Sequence, residues 1–315
     1  MFRHILVPLD GSEPAEAALP VSTALARALG AEMTLVHVIE RDAPSQVHGH
    51  PHLREPGQAQ AYLESIAARL TSTSIPIHLH VHDTQVTDVA ASLAGHSREL
   101  AIDLIVMASH GRRGPRDWFW GNVGEQILDT GMVPVLMVRS GQNLPQEFPF
   151  RRILVPLEGR GLHEAGLRIA EELAAALRAQ LHLVVVVPTR QTLSAEGAAS
   201  GQYLPGAAEV MLDLADEDAR DYLQGELARL HGRAVAASAQ VDRGDPAACI
   251  AGAARKTQAD LIVLATHGKT GLQAFWAGSV AARVCARTET PVLLVPEIRA
   301  GAPTEGDSKP PKNTQ

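Results

Sequence analysis

The chain has 315 residues, of which 45% are hydrophobic and 20% charged, and its formal net charge is −7. This acidic balance argues against nucleic acid as a partner, which would need a basic stripe on the surface. The only cysteines, Cys249 and Cys285, are too far apart for a CxxC metal or redox motif. No apolar run approaches the roughly 20 residues of a membrane helix. We therefore expect a cytoplasmic globular protein without membrane contact.

Short apolar runs rich in β-branched residues alternate with alanine-rich stretches along the chain. This alternation is typical of parallel strands covered on both faces by helices. In the first half it predicts strands near 3–9, 32–39, 76–82, 103–108 and 133–138, and helices near 12–30, 58–71, 85–100 and 121–131. In the second half it predicts strands near 151–157, 180–187, 234–241, 260–265 and 291–295, with helices between them. The predicted class is α/β, with one doubly wound five-stranded parallel sheet in each half.

The chain is an internal duplication. ILVPLDG at 5–11 returns as ILVPLEG at 153–159, and each half has the length of an ordinary domain. The second half carries extra residues, which we expect between its second strand and the next helix. The predicted organisation is one domain at 1–140, a linker at 141–150, a second domain at 151–298 and a disordered tail at 299–315.

A glycine-bearing segment also occurs twice, as DLIVMASHGRRGPRDWFWGN at 103–122 and DLIVLATHGKTGLQAFWAGS at 260–279. In each copy a buried-strand pattern runs into a loop, and two glycines of that loop are separated by nine residues. Open parallel sheets bind ligands at the carboxyl ends of their strands, where the strand order reverses. If the first and fourth strands are neighbours, these loops meet the PLDGS and PLEGR loops and form one pocket per half.

These segments resemble the universal stress protein family over about residues 1–140 and 150–298. The family motif is Gly, two residues, Gly, nine residues, Gly and then Ser or Thr, with an Asp after the first strand. In nucleotide-binding members this motif holds the phosphates of ATP. The resemblance implies the strand order 3-2-1-4-5 of adenine nucleotide alpha hydrolase-like folds. It also implies that the last strands, 133–138 and 291–296, pair with each other, and that two chains form a homodimer.

The second half matches the phosphate end of the family motif. Ala265 takes the first glycine position, and Gly268, Gly278 and Ser279 match the rest. Glycines let backbone N–H groups approach phosphate oxygens, and a helix start favours negative charge. At the adenosine end, Glu158 replaces the family Asp. The residues predicted to contact nucleotide here are Pro156, Glu158, Gly159, Val186, His267, Gly268, Lys269, Gly271, Gly278, Ser279 and Val280.

The first half departs from the motif in the opposite way. Asp10 matches the family residue at the adenosine end, but Ala108 replaces the first glycine and Asn122 replaces Ser or Thr. Val38 takes the position where family members contact the base. The residues predicted to contact nucleotide in this half are Pro8, Asp10, Gly11, Ser12, Val38, Gly111, Arg112, Gly114, Gly121 and Asn122.

The predicted function is binding of ATP or another adenine nucleotide, with Mg²⁺ as a companion ion, in a stress-response sensor or regulator. Neither His110 nor His267 has a Ser, Cys or carboxylate at a recognisable spacing to complete a nucleophilic set, so we predict no catalytic residue. Two alternatives stay open. One is a slow ATPase or nucleotidyl-transfer enzyme that uses Lys269 and Mg²⁺. The other is a module that binds a different small ligand or a metal.

Histidines cluster in the first half. His78, His80 and His82 alternate along the predicted third strand, so their side chains share one face. Neutral imidazoles gathered in this way bind Zn²⁺ or Ni²⁺, and the histidines of HGHPH at 48–52 offer a further ligand. The competing interpretation is the polar face of an edge strand. Residues 234–241 of the second half contain no equivalent cluster.

Overall fold

A computed structural model describes residues 1–41, 43, 45–47, 50–71, 74–109, 122–130, 133–141, 148–159, 165–192, 205–266 and 279–296. The strands in this part of the chain are β1 (His4–Pro8), β2 (Glu32–Glu40), β3 (Gln46–Val47), β4 (His50–Pro51), β5 (Ile77–Val86), β6 (Leu104–Ser109), β7 (Val135–Arg139), β8 (Arg152–Leu157), β9 (Gln180–Val187), β10 (Ala237–Arg243), β11 (Leu261–Thr266) and β12 (Val292–Pro296). The helices are α1 (Glu13–Glu16), α2 (Ala18–Leu29), α3 (Pro56–Leu70), α4 (Val89–Glu99), α5 (Asn122–Asp129), α6 (Ala165–Leu177), α7 (Pro205–Gly232), α8 (Pro246–Thr257) and α9 (Val280–Arg287).

Ten of these strands form one continuous sheet in the order β10-β9-β8-β11-β12-β7-β6-β1-β2-β5. Each half contributes five parallel strands, and counted within a half their order is 3-2-1-4-5. The predicted fold is therefore confirmed. The remaining two strands, β3 and β4, form a small antiparallel hairpin over the HGHPH segment, which the sequence pattern did not predict.

The two halves join through their last strands. β7 and β12 pair antiparallel, with Leu136 opposite Leu293 and Val135 opposite Leu294, all nearly inaccessible to solvent. The pairing that the family resemblance implied is present. Because the junction is antiparallel while each half is parallel, the carboxyl ends of the two sets of strands lie at opposite edges of the sheet.

Helices cover both faces of the sheet, so the strand side chains alternate between two apolar layers. Ile5 and Val7 of β1 belong to one layer, which is packed by α2, α3, α6 and α7, and Leu6 belongs to the other. Phe150, at the end of the predicted linker, is buried in the first of these layers and lies against Phe148. Burial on both faces explains why the strands are continuous apolar runs. Among the described helices, none is both long enough and apolar enough to cross a membrane.

The single helix predicted at 12–30 is in fact two. α1 ends at Glu16 and α2 begins at Ala18, with the hydroxyl of Ser12 capping α1. Pro20 has no N–H group, so the carbonyl of Glu16 cannot receive the bond that would continue one helix through this point. The break is a local consequence of one proline.

The extra residues of the second half lengthen a helix instead of a loop, so the prediction of their place was wrong. α7 begins 17 residues before Tyr222, whereas α3 begins 6 residues before the equivalent Tyr62. The segments between the second strand and these helices are similar in length, at 41–55 and 188–204. The polar, alanine-rich run that leads to Tyr222 is a good helix former, and it extends the helix towards its N-terminus.

Asp245 ties two helices of the second half together. It caps α8 by accepting a hydrogen bond from the amide of Ala248 at 3.0 Å, and it also accepts bonds from Arg283 at 2.5 Å and Arg287 at 2.6 Å on α9. Burial acts to raise the pKa of this carboxyl, but the bonds from Arg283, Ala248 and Arg287 outweigh burial and hold the pKa below its ordinary 3.8. A lowered pKa stabilises the fold above the unfolded-state value, and this stabilisation is lost as pH falls through the folded value.

We expect Asp245→Ala to lower the free energy of unfolding at neutral pH by about 1 kcal/mol for the lost cap, and by up to about 1 kcal/mol more for the exposed ion pairs. The measurement is calorimetric unfolding at pH 7 and at pH 3. The ion-pair part of the loss should shrink at pH 3, and also in high salt.

Asp88→Ala is the matched control for this prediction. Asp88 caps α4 in the same way, with the amide of Ala91 at 2.9 Å, but the positions of the two arginines are Gln126 and Thr130 in the first half. This variant should lose only the part of the free energy of unfolding that the helix cap contributes. Equal losses in both variants at low ionic strength would show that the arginine pairs contribute nothing.

Candidate functional site

The carboxyl ends of two neighbouring strands meet in each half. In the first half β1 ends at Pro8 beside β6, which ends at Ser109. In the second half β8 ends at Leu157 beside β11, which ends at Thr266. The loop after the first strand and the glycine-bearing loop after the fourth therefore leave adjacent strands, at the point where the strand order reverses.

Asp10 closes the turn between β1 and α1. Its Oδ1 accepts hydrogen bonds from the amide of Ser12 at 2.9 Å and from the Ser12 hydroxyl at 2.6 Å. The Ser12 oxygen in turn accepts from the amide of Ala15 at 3.4 Å and so caps α1. This Asx turn holds Asp10 and Ser12 in place without a ligand.

Leu53 covers the first-half loop. Gly11 has φ +88°, and a Cβ at this residue would lie 2.8 Å from two carbons of the Leu53 side chain. The buried ring of His37 lies between the two segments, with its Nδ1 2.7 Å from the carbonyl oxygen of Leu9 and its Nε2 3.0 Å from the carbonyl oxygen of Leu53. Only glycine combines this backbone conformation with such a close neighbour.

Among the described residues, the equivalent place in the second half has fewer close neighbours. Gly159 has φ +72°, and among the described residues only Val185 comes within 4 Å of a Cβ at that position, at 3.4 Å. Glu158 is exposed. On the far side of the loop α6 lies close to the end of β11, since a Cβ on Gly166 would be 3.1 Å from the amide nitrogen of Ala265.

Ser279 is the described residue that follows the second glycine-bearing loop. It is the N-cap of α9, with an extended backbone (φ −68°, ψ 150°), and its Oγ accepts a hydrogen bond from the amide of Ala282 at 3.1 Å. Val280, the first residue of the helix, packs against the apolar layer of α8. The start of α9 therefore lies beside α8, after the loop that leaves the carboxyl end of β11.

The remaining predicted residues are placed as follows. Pro8 and Pro156 lie in β1 and β8 opposite Val36 and Val184 of the neighbouring strands. Val38 is buried and Val186 is half-buried, at equivalent positions of β2 and β9. Asn122 begins α5, but its side chain lies outside the described residues, as do Gly111, Arg112, Gly114, Gly121, His267, Gly268, Lys269, Gly271 and Gly278.

Two of the three predicted metal ligands come together, and a different histidine completes the group. One nitrogen from each of His80, His82 and His96 can be chosen so that all three lie within 4.8 Å of one another. His96 comes from α4, is buried, and places its Nε2 3.0 Å from Nδ1 of His82. His78 is not part of this trio, because its Nε2 pairs with Glu32 at 3.1 Å near the ring of His4.

Burial, followed by the neighbouring rings of His96 and His82, lowers the pKa of His80 below its ordinary value. The neutral ring is therefore favoured at this position. The loop histidines contribute nothing further that the structure describes. His52 lies against His37, 6.4 Å between ring centroids, while His48 and the side chain of His50 are outside the described residues.

The described part of the second half has no such trio. The strand registers match His80 to Gln240 and His82 to Asp242. His96 lies eight residues after Asp88, which caps α4. The residue eight positions after Asp245, which caps α8, is Ala253. There Gln240 and Asp242 form a hydrogen-bonded chain, in which Gln240 Nε2 donates to Asp242 at 2.8 Å and Gln240 Oε1 lies 3.1 Å from His182 Nε2.

His96, His37 and Leu53 were not among the predicted site residues. Each acts through a contact between elements that are distant along the chain, and none lies in a motif. A signal for His96 does exist, since α4 directly follows the histidine-bearing strand and packs beside β2. Its position in the helix becomes meaningful only with the fold known.

Gly11→Ala tests the Leu53 cover. We expect a loss of about 2 to 3 kcal/mol in the free energy of unfolding, because the left-handed backbone costs about 1 to 2 kcal/mol for a residue with a Cβ and Leu53 must also move. Gly30→Ala is the control, since Gly30 has φ +64° and no described neighbour within 4 Å of a Cβ. Thermal unfolding of both variants gives the comparison. Adding Leu53→Ala should bring the first variant to the level of the second, and no such recovery would mean that Leu53 does not cover Gly11.

Comparison with known proteins places the chain in a family. The profile of the universal stress protein family matches residues 1–139 and again residues 149–296. A universal stress protein of Methanocaldococcus jannaschii is 29% identical over 159 residues, which are 50% of this chain and 86% of that protein. The crystal structure of a universal stress protein from Archaeoglobus fulgidus has the same fold (TM-score 0.65, 15% identity, 93% of this chain and 96% of that chain). So does a functionally unknown protein of Pseudomonas aeruginosa PAO1 (TM-score 0.64, 17% identity, 94% and 93%). The chain belongs to the universal stress protein family, of which it contains two tandem domains.

Proposed function

We propose that this tandem universal stress protein binds an adenine nucleotide, ATP or AMP, and acts as a stress-response sensor or regulator in the cytoplasm. The principal site is assigned to the second half, at the carboxyl edge formed by β8 and β11. Cys249 and Cys285 are both unpaired, which suits a reducing compartment.

The observation that carries the proposal is the capped start of α9. The first N–H groups of a helix have no partners within it, and the helix dipole places partial positive charge there. Such an end binds phosphate oxygens. The Oγ of Ser279 accepts from the amide of Ala282, which leaves the hydroxyl proton to be donated to an anion. This residue also matches the last position of the family's phosphate-binding motif.

The contrast between the two halves supports the choice of the second. In the first half the Leu53 side chain lies 2.8 Å from where a Cβ on Gly11 would be, whereas the nearest described atom to the same point on Gly159 belongs to Val185, at 3.4 Å. Exposed Glu158 stands where the family has Asp, and its longer side chain still offers carboxylate oxygens to ribose hydroxyl groups.

The groups named for this site recognise a ligand. The start of α9 and the Ser279 hydroxyl supply donors for phosphate, and Glu158 supplies acceptors for the sugar. Mg²⁺, when it accompanies a triphosphate, neutralises part of the phosphate charge. We therefore assign to this site the binding of nucleotide, and the presence of bound nucleotide is the signal. ATP hydrolysis is measured in the same variants as a separate outcome.

Ser279→Asp and Ser279→Asn form a matched pair that separates binding from folding. Both side chains are good helix caps, so both variants should fold with near wild-type stability. Aspartate adds a negative charge beside the phosphates, and we expect it to weaken ATP binding about tenfold or more, which corresponds to about 1.4 kcal/mol. Asparagine should keep most of the affinity. Isothermal titration with ATP and AMP provides the measurement.

The outcome that contradicts the proposal is an aspartate variant that binds nucleotide as tightly as the asparagine variant. Asp10→Ala, which alters the first half, reports separately on that site, and we expect it to leave the main binding event unchanged. If the rate of phosphate release falls in the same variants that bind nucleotide less tightly, the protein is a slow ATPase instead of a sensor. Release that is equal in all variants would come from a contaminating enzyme.

We also propose that two chains associate. The pairing of β7 with β12 uses one edge of each half within the chain, and β5 and β10 remain as the outer strands of the sheet. Edge strands carry unpaired backbone groups and favour further contacts. Sedimentation equilibrium should give twice the chain mass of 33.5 kDa. A mass equal to that of one chain at micromolar concentration would exclude the dimer.

A further inference from the structure

We propose that His80, His82 and His96 form a binding site for a divalent transition-metal ion of the zinc class. The site lies in the first half, at the outer edge of the sheet, and is separate from the nucleotide site assigned to the second half. Its three side chains come from β5 and α4. One nitrogen can be chosen from each ring so that the three nitrogens lie within 4.8 Å of one another.

The fold brings the three rings to one place. In a strand, alternate residues share a face, so His80 and His82 both project from the face that α4 covers. His96 meets them there, with ring centroids 4.4 Å from His80 and 4.9 Å from His82. Two nitrogens bound to one tetrahedral zinc ion stand about 3.3 Å apart, given Zn–N bonds of about 2.0 to 2.1 Å. The 3.0 Å between His96 Nε2 and His82 Nδ1 is already close to this value.

An unpartnered atom points to a missing ligand. Nε2 of His80 is buried and has no hydrogen-bond partner among the residues that the structure describes. Buried polar atoms are nearly always paired, so each exception requires an explanation. A metal ion between the three rings would satisfy this nitrogen, whereas a purely structural polar cluster would leave it without a partner.

The partner of His96 fits the same explanation. Its Nδ1 donates to the carboxylate of Glu99 at 3.2 Å. This bond places the ring proton on Nδ1 and leaves the lone pair of Nε2 directed at His82. Histidines that bind metals usually donate their other N–H to a carboxylate or carbonyl, which orients the ring and raises its basicity.

The ligand set indicates the class of ion. Three imidazoles without a thiolate suit zinc, nickel, copper or cobalt, and they do not suit calcium or magnesium, which prefer oxygen ligands. Three protein ligands leave one position of a tetrahedral ion for water or an exogenous group. His80 and His82 are only half-buried on an edge strand, so solvent reaches the site.

The test is metal titration of the whole, tag-free chain after treatment with a chelator. Zn²⁺ affinity is measured by competition with a chromophoric chelator, and Co²⁺ serves as a spectroscopic probe, because a tetrahedral cobalt site absorbs in the visible range. We expect one Zn²⁺ that depends on the trio, and a loss of affinity of at least about 100-fold in His80→Gln and in His96→Gln. Glutamine is compatible with the fold at the first position, since the second half has Gln240 there.

His78→Gln is the matched control. His78 lies on the same face of the same strand, two residues from His80, but pairs with Glu32 instead. We expect its Zn²⁺ affinity and cobalt spectrum to equal those of the wild type. Zn²⁺ bound elsewhere, for example by the histidines at 48–52, would persist in all three variants and is thereby distinguished.

Two results would overturn the proposal. One is equal Zn²⁺ affinity in the wild type and in the folded His80→Gln variant. The other is loss of binding in His78→Gln with retention in His80→Gln, which would place the ion at a different group. Because His80 is half-exposed at an edge, its variant keeps the test valid even if His96→Gln fails to fold.

Discussion

The antiparallel pairing of β7 with β12 is the constraint on which the rest of the structure depends. An apolar edge strand in each half would otherwise be exposed to solvent or to other chains. Pairing joins the two sheets into one and buries Leu136 and Leu293 on one face and Val135 and Leu294 on the other. It also turns the carboxyl edges of the halves to opposite sides. Two sites built at those edges cannot share residues or merge, so each was free to diverge.

The divergence is visible residue by residue. The first half keeps the aspartate that follows the first strand, as Asp10, but Leu53 covers the adjoining glycine. The second half keeps the serine that ends the glycine motif, as Ser279, and has Glu158 in place of the aspartate. Elsewhere, the histidine trio has no counterpart in the second half, and the Arg283 and Arg287 pairs with Asp245 have none in the first. A duplicated fold therefore carries two different sets of polar interactions on the same frame.

The strands were predictable because burial on both faces forces continuous runs of β-branched residues, and β1, β6 and β11 lie within about one residue of their predicted bounds. The strand order came from the family resemblance. The prediction that the extra residues of the second half lie before the helix was wrong, because the alanine-rich run that leads to Tyr222 is itself part of the helix. Pro20 indicated the break before α2, but the break was not predicted.

For the sites, the residues that lie in motifs were found, whereas Leu53 and His96 depend on contacts that only the folded chain creates.

The positions of the two proposed sites suggest how the halves divide their roles. His82 lies directly opposite Val38 in the register of β5 and β2, and Val38 is where the family resemblance places contact with a base. An ion held by the trio would thus fix β5 and α4 beside the first-half pocket, whose loop is already covered by Leu53. A pocket restrained on both sides is poorly suited to admit and release a nucleotide. We infer that the first half responds to metal while the second responds to nucleotide.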